Sequence, residues 1–557
     1  MAPAISQHHD LNGPNVPRNG SNSDLEEKKM EDRQVLQEED AYEHLGFSWP
    51  WMKKWTILTV IFIVQCSMNF NASVYASSVD KMAAQPEEGG FGRSKQSIRV
   101  GQALFLIFYA FGCELWAPWS EEIGRWPVLQ MSLGLVNIWQ ILCALAPNWG
   151  SILVGRSLGG LSSAGGSVTL GMVADMWEPS TQQFAVGYVV LSSVGGSVLG
   201  PVFGGFIGKY LTWQWNFWIQ LIFGVATQAI HFFLVPETRT TVILDRLAKK
   251  KRKSGENPNL YGPNEVRGGL FKRLPPKELA ITMLRPFRMF LTEPIVLCLS
   301  LLSGFSDALI FTFLEAYGPV YEQWGFGTVQ TGLSYLPLLV GYFIAWFSFM
   351  PFFLRDQKFM AKHGSEAMSP ERRLYWLLWM APLETIGLFG FAWTSSGPQA
   401  GIPWIAPMIF SCFVGIANYA IYMATIDYMI AAYGPYSASA TGGNGFARDF
   451  LAGIAAFYSA PFYDYFETRT LEYPSTILAC LAICVTIPIY VFYWKGPVIR
   501  ERSKFAQTLA GERTQKDGRR ASMVTAEQLQ RQDDSSKARN EGSQAQGEER
   551  KDVVDQV

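Results

Sequence analysis

The sequence predicts an all-α membrane protein with twelve transmembrane helices in two six-helix, pseudo-symmetric halves. Three observations carry this expectation. Hydrophobic residues make up 49% of the 557 residues and charged residues only 17%, below the roughly 25% of soluble domains. Apolar runs of about 20 residues, long enough to cross a bilayer as a helix, recur along the chain. A long basic stretch separates six such runs from six more, the layout of two repeated halves joined by a linker.

Residues 1–50 are polar and acidic, as in Asp24-Leu25-Glu26-Glu27 and Gln37-Glu38-Glu39-Asp40. No apolar core opens the chain, so no cleavable signal peptide is expected, and the segment reads as a disordered cytosolic tail. The first half covers residues 51–236, with spans at about 55–75, 100–118, 127–146, 151–174, 184–207 and 216–235. A polar loop to about Arg99 follows the first span, and the later turns are short. The linker covers residues 237–292. The second half, residues 293–495, has spans at about 294–316, 330–353, 374–395, 404–430, 438–461 and 474–494. Residues 496–557 are charged and rich in Gln, Ser, Glu and Arg, and read as a second disordered cytosolic tail.

Positive charge sets the orientation, because loops rich in Lys and Arg stay in the cytosol. The linker carries Arg246, Lys249, Lys250, Lys251, Arg252 and Lys253; the loop after the eighth span carries Arg355, Lys358, Lys362, Arg372 and Arg373; the last tail opens with Lys495, Arg500, Arg502 and Lys504. With twelve crossings all three fall on one side, so both termini and the linker are expected in the cytosol. The basic linker is also a candidate contact for anionic lipid of the inner leaflet.

Composition excludes several function classes. A formal net charge of −1 gives no field that would draw nucleic acid. The seven cysteines lie in apolar runs without a CxxC pair, and the five histidines are scattered, so neither a metal centre nor a nucleophilic triad is expected. Cys480 and Cys484 read as buried free thiols. No nucleotide-binding P-loop is present, so transport would not be driven directly by ATP. No cofactor is expected beyond a proton gradient as energy source. Asn71-Ala72-Ser73 is a formal glycosylation acceptor, discounted because it lies within the first span or at its exit.

The most informative stretch is Gly196-Ser197-Val198-Leu199-Gly200-Pro201-Val202-Phe203-Gly204-Gly205. Gly196, Gly200 and Gly204 recur every four residues and share one helix face, a doubled GxxxG that lets another helix approach to backbone contact. Pro201 lacks an N–H and should bend the helix there. Between spans two and three stands Trp116-Ala117-Pro118-Trp119-Ser120-Glu121-Glu122-Ile123-Gly124-Arg125-Trp126-Pro127, and span four contains Arg156-Ser157-Leu158-Gly159-Gly160.

These stretches resemble motifs C, A and B of the major facilitator superfamily, in the form found in fungal twelve-helix drug:proton antiporters. The first fills every fixed position of G-x-x-x-G-P-x-x-G-G. In the second, Glu121, Gly124, Arg125 and Pro127 match, while Ala117 replaces a glycine and Trp126 a basic residue. In the third, Gly159 stands where a glutamine is usual. Pro236-Glu237-Thr238, Trp213-Gln214-Trp215, Arg285-Pro286-Phe287, Glu293-Pro294-Ile295 and Tyr433-Gly434-Pro435-Tyr436 are also similar to patterns of that family. The resemblance covers about residues 50–500 and implies the major facilitator fold. It implies a gating role for Glu121, Gly124 and Arg125, with Asp175 as partner of that turn. It implies that Arg156 influences the protonation of nearby carboxylates, since a fixed cation lowers their pKa.

Carboxylates in or near the spans carry the coupling question: Glu114, Asp307, Glu315, Glu384, Asp427 and Asp449. An ionisable residue inside a membrane is costly and marks a functional site. Glu114, Asp307 and Glu315 join Arg156 as proton-coupling candidates, and Asp307 and Glu315 fall roughly on one face of the seventh span. Asn418, Tyr419, Tyr422, Asp427, Asn444 and Arg448 are candidate walls of a substrate cavity, an aromatic lining with few polar groups that suits flat organic molecules.

The expected function is secondary active export, proton-coupled antiport of small organic compounds (a fungal secondary metabolite, a toxin or an antifungal drug) by alternating access. Polyamine export and uptake symport are alternatives within transport, and a membrane sensor is the alternative from another class. An enzyme is not expected. The partners are a small-molecule substrate, protons and the lipid bilayer, without nucleic acid. The protein is expected as a monomer in the plasma membrane, or in the vacuolar membrane.

Overall fold

The computed structural model describes residues 34–503 apart from 164, 179–180, 270–272, 274, 365–367 and 467–468. Residues 1–33 and 504–557, which hold most of both expected tails, and Ala164 of the span-four motif lie outside the described residues.

All twelve expected spans are helical. The first half consists of span 1 (Trp51–Val74), span 2 (Lys95–Glu122), span 3 (Arg125–Ala144), span 4 (Trp149–Ser162 and Gly165–Met176), span 5 (Gln182–Tyr210) and span 6 (Gln214–Leu234). The second half consists of span 7 (Pro294–Glu322), span 8 (Thr328–Leu333 and Leu336–His363), span 9 (Tyr375–Met380 and Pro382–Thr394), span 10 (Ile405–Tyr433), span 11 (Ser437–Asp464) and span 12 (Glu472–Glu501). Among the described residues, ten helices are long and apolar enough to cross a membrane by that measure alone. The other two spans are instructive. Span 4 is interrupted at Ser163, where the backbone turns extended (ψ 117°). Span 11 carries Asn444, Arg448 and Asp449 in its middle.

Local chemistry sets the helix ends. Ser94 and Asn148 cap spans 2 and 4 by accepting the backbone N–H of Ser97 (3.2 Å) and Ser151 (3.0 Å), each satisfying a donor that the first helical turn leaves free. Span 2 starts at Lys95, so the loop expected up to Arg99 is shorter and Arg99 sits on the helix. Pro382 separates the two parts of span 9, as a residue without an N–H does. Pro201, by contrast, lies inside an unbroken helix of 29 residues.

Span 5 packs along span 1 through its glycines. A Cβ on Gly196 would lie 2.7 Å from the Cys66 carbonyl oxygen, one on Gly200 1.9 Å from Ser73 Oγ, and one on Gly204 2.1 Å from Ser77 Oγ. The spacing of four thus puts three contacts on one neighbour. Between the halves, span 2 lies along span 11 and span 5 along span 8. Apolar side chains such as Phe233 and Trp494 are 80% and 73% exposed on the outer faces of spans 6 and 12, an orientation that a lipid-facing surface favours. Cys480 and Cys484 are on such a face too. The expectation of buried thiols there fails because they fall on the side of span 12 turned away from the bundle.

The boundary of the N-terminal tail also moves. Residues 34–50, grouped with the tail for their polarity, form a strap. Gln34–Val35 pairs in parallel with Leu260–Tyr261 of the linker. Leu36, Ala41 and Leu45 bury against Leu244, Ala248 and Leu260. Gly46 touches the backbone of Asp175 and Met176 at the end of span 4, leaving no room for a Cβ (2.7 Å to the Asp175 oxygen). The linker is helical over Thr240–Ser254, Pro263–Arg267 and Pro276–Thr292. Arg252 grips Glu265 with two bonds of 2.7 and 2.8 Å and holds its carboxyl below the usual range. Burying a leucine such as Leu45 contributes about 1.5–3 kcal/mol. Leu45→Asp is therefore expected to free the strap and the helix under it. Trypsin cleavage within Lys249–Lys253 should then accelerate several-fold; an unchanged cleavage rate would show that the strap does not hold the linker.

Candidate functional site

The spans bring charged and polar residues together at three levels. On the side of the linker, span 2 ends in a turn at Gly124, whose φ of +118° belongs to the region that glycine adopts freely. A Cβ there would sit 2.3 Å from Glu237 Oε2. Glu237 accepts the backbone N–H of Arg125 (2.9 Å), Trp126 (3.3 Å), Thr238 (3.0 Å) and Arg239 (2.9 Å). A carboxylate at the first turn of span 3 meets the positive end of that helix dipole. Arg125 donates to Asp175 Oδ2 (3.0 Å) and to Ser120 Oγ (2.6 Å), and Arg239 lies 3.6 Å from Asp175 Oδ1. The expected pairing of Asp175 with this turn is present. Glu121 contributes its backbone carbonyl, which accepts from Arg239 (3.2 Å), and its charge in the field of Arg125. Asp175 and Glu237 supply the carboxylates that hold the turn. Glu237 was legible in Pro236-Glu237-Thr238 but was not placed in the gate, since its partners are backbone amides 110 residues away.

The second half repeats this pair. Arg373, in the 3-10 turn Pro370–Leu374 that leads into span 9, donates to Asp427 of span 10. Arg125 and Asp175 are 50 residues apart, Arg373 and Asp427 54, as expected of equivalent spans. Here the carboxylate also reaches the other half: Gln183 of span 5 donates to Asp427 Oδ2 at 2.5 Å. Tyr419 donates to the Gly187 carbonyl (2.9 Å), and Phe184 packs on Trp346 and Phe353. Tyr419 and Asp427, considered as cavity walls, thus lie in the linker-side contact between the halves.

A separate set of contacts joins the halves on the side away from the linker. Arg99 of span 2 meets Glu315 of span 7 at 2.9 and 2.8 Å. Gln96 donates to the Phe457 carbonyl (2.6 Å). Gly205, the last residue of the glycine-proline stretch, faces span 8: its Cβ would be 2.9 Å from the Thr328 oxygen and 3.1 Å from Gly332 Cα. Glu315, a proton-coupling candidate, is thereby committed to a cross-half ion pair with Arg99, which sits on span 2 and not in the loop before it.

Between these two layers lies a buried cluster drawn from both halves. Arg448 of span 11 bonds Asp449 Oδ1 at 3.0 and 2.9 Å and lies 4.0 Å from Asp307 Oδ2 of span 7. Its guanidinium carbon stands 4.2 Å from the ring centre of Tyr422, a cation–π contact. Glu114 of span 2 is 6% exposed, in electrostatic range of Asp449, and packed on Gly442, where a Cβ would be 2.7 Å from its Oε1. Asn418 donates to Ser306 Oγ (3.2 Å), beside the fully buried Glu384. Asn444 is fully buried too. The structure thus unites Glu114, Asp307, Tyr422 and Arg448 and adds Asp449.

Arg156 stands apart. It is 1% exposed. Its hydrogen bonds go to Asn71 O (3.1 Å), Asn71 Oδ1 (2.9 Å) and Gly101 O (3.3 Å), and it stacks over Phe105 and Tyr75. Its described partners are carbonyls and aromatic faces, so it reaches Glu114, Asp307 and Glu315 through no direct bond. Asn71 is buried in this contact (1% exposed), which bears out its dismissal as a glycosylation acceptor.

Comparison with known proteins agrees with this architecture. The sequence profile of the Major Facilitator Superfamily matches residues 61–456. The chain is 30% identical to the MFS-type transporter paaT of Penicillium rubens, over 82% of this chain and 81% of that one. It is 29% identical to the MFS-type transporter kojT of Aspergillus flavus (82% and 80%). It is 30% identical to the MFS-type transporter traF of Penicillium crustosum (88% and 97%). Among solved structures it is similar in fold to the proton:xylose symporter XylE, with a TM-score of 0.51 at 14% identity over 80% of this chain and 97% of that one. A profile match across most of the chain, relatives aligned over most of their length and two six-helix halves closing on a buried polar cluster lead to one conclusion: this protein belongs to the Major Facilitator Superfamily and is a multi-pass membrane transporter.

Proposed function

We propose that the protein is a secondary active exporter that expels a small organic compound, a secondary metabolite, toxin or antifungal drug, in exchange for protons. The observation that carries this is the position of the Glu114–Asp307–Arg448–Asp449 cluster. It lies between an outer contact of the halves (Arg99–Glu315, Gly205–Gly332) and a cytosolic one (Gln183–Asp427, Tyr419–Gly187). Breaking one layer while keeping the other exposes the cluster to one side at a time, which is alternating access. The carboxylates supply groups that take up protons on one side and release them on the other. The glycine face of span 5 favours the antiport direction by its resemblance to the antiporter motif, and provides a surface along which spans 1 and 8 can slide. Basic linker, loop and tail segments favour cytosolic termini, and the plasma membrane is the site we propose for an exporter.

The test is accumulation of dyes and azoles in cells lacking their own pumps, with and without this chain and a protonophore. Lower accumulation that the protonophore abolishes is the expected result. Higher accumulation would make the protein an uptake symporter. Lower accumulation that ignores the protonophore would remove the proton from the mechanism.

A further inference from the structure

The charge of the central cluster does not balance. Glu114, Asp307 and Asp449 are three carboxylates on spans 2, 7 and 11, and Arg448 is the cation among them. One guanidinium neutralises one carboxylate and leaves two. Glu384, fully buried beside Ser306, adds a further acid on span 9. Arg156 does not correct the sum, being bound to carbonyls toward the outer end of span 4. Buried carboxylates without a counter-charge are costly, so each must hold a proton or a cation.

A second observation points to a ligand rather than to protons alone. Two tyrosine hydroxyls at the cluster have no hydrogen-bond partner among the described residues. Tyr109 is 4% exposed and in electrostatic range of Arg448 and Asp449. Tyr342 is fully buried and in range of Asp307. Asp449 Oδ2 is likewise unpartnered, as are both ends of the Asn444 amide one helical turn away. A buried hydroxyl left unbonded costs about 1–3 kcal/mol. A protonated carboxyl brings a single O–H donor, whereas a cation with several N–H donors reaches carboxylate and hydroxyls together.

From this we infer that the cargo of the central site is an organic cation: an amine whose ammonium is placed among Glu114, Asp307 and Asp449, within reach of the Tyr109 and Tyr342 hydroxyls. An ammonium brings up to three N–H donors, which the two free tyrosine oxygens and a carboxylate can accept. Arg448, held by Asp449 and Tyr422, offsets a second carboxylate, and the third holds a proton. The inference deepens the exporter proposal, but its test measures binding and does not depend on the direction of transport or its energy source.

The experiment is binding to the purified full chain of three probes with one frame and different charge: 2-phenylethylamine, 2-phenylethanol and 3-phenylpropionate, with spermidine as a fourth. Each is titrated by calorimetry and by the shift in melting temperature. The amine is expected to bind at least tenfold more tightly than the alcohol and the acid. Tighter binding of spermidine than of phenylethylamine also supports the inference and narrows the cargo to polyamines. Equal binding of amine and alcohol, preference for the acid, or no binding of either amine overturns it. Glu114→Gln and Asp307→Asn should each weaken amine binding tenfold or more, and Glu114→Asp should recover part of it. Because the wild-type ranking decides by itself, a variant that fails to fold does not rescue the idea. Protonophore-sensitive export of neutral compounds alone, with no amine binding, would sink the inference and leave the exporter proposal standing. Amine binding without any export would do the reverse.

Discussion

Replacing Gly205 with leucine is expected to stop transport while the protein stays folded. The atoms a Cβ would meet are the Thr328 oxygen at 2.9 Å and Gly332 Cα at 3.1 Å. Both are backbone atoms of the other half, so no side chain can turn aside. Gly332 meets the Pro201 oxygen in the same way, at 2.8 Å. The added side chain therefore leaves each half intact and forces the halves apart on the outer side. Overpacking of this kind costs about 1–3 kcal/mol, and each ~1.4 kcal/mol changes an equilibrium tenfold. The state closed to the outside should lose roughly one to two orders of magnitude in population, and a carrier that cannot close cannot cycle. Transport should fall tenfold or more with a melting temperature within a few degrees of wild type. Gly195→Ala, whose Cβ meets only the end of Leu339 at 3.7 Å, is the control and should transport normally. Normal transport by Gly205→Leu would show that this contact is not part of the cycle.

The second large effect is expected at Asp427. It binds Arg373 within its own half and Gln183 across the interface, with a side chain only 5% exposed. Asp427→Leu leaves Arg373, 12% exposed, buried without a counter-charge. Removing one partner of a buried pair typically costs about 3–5 kcal/mol, whereas replacing both with apolar residues is close to neutral. The single variant should therefore lose far more thermal stability than Arg373→Met with Asp427→Leu. Both should lose the Gln183 bond and leave cytosolic cysteine reagents freer access to a cysteine placed at Gly187. The expected pattern is thus partial rescue of stability in the double variant without rescue of closure. Equal stability of single and double variants would mean that the pair is not coupled.

The homologous pair in the first half explains why these two sites differ. Arg125–Asp175 is enclosed by Glu237, Ser120 and Arg239 of the same half, so it braces a turn. Arg373–Asp427 has Gln183 of the opposite half as its third member, so it joins the halves. The same arrangement of spans serves as a brace in one half and as a latch in the other.

Much of this was legible in the order of residues. Apolar length and the placement of Lys and Arg are local properties, and they sufficed for twelve spans, two halves and the basic linker, with the ends of the helices adjusted by caps such as Ser94. The four-residue spacing of Gly196, Gly200 and Gly204 put them on one face before any partner was known. The family resemblance set Asp175, at the end of span 4, as partner of the turn that holds Arg125. What the tertiary structure decided is which residue each side chain meets, because a span's polar residues choose among several neighbours by rotation and depth. Only packing could assign Glu315 to Arg99, Asp427 to the latch between the halves and Arg156 to the carbonyls of Asn71 and Gly101. Only packing could show that the polar segment 34–50 has enough apolar residues, at Leu36, Ala41 and Leu45, to dock on the linker. The central cluster is the clearest case. Glu114, Asp307 and Asp449 are separated by more than a hundred residues or by a whole half, and their charges become a single electrostatic problem only when spans 2, 7 and 11 bring them into one low-dielectric space.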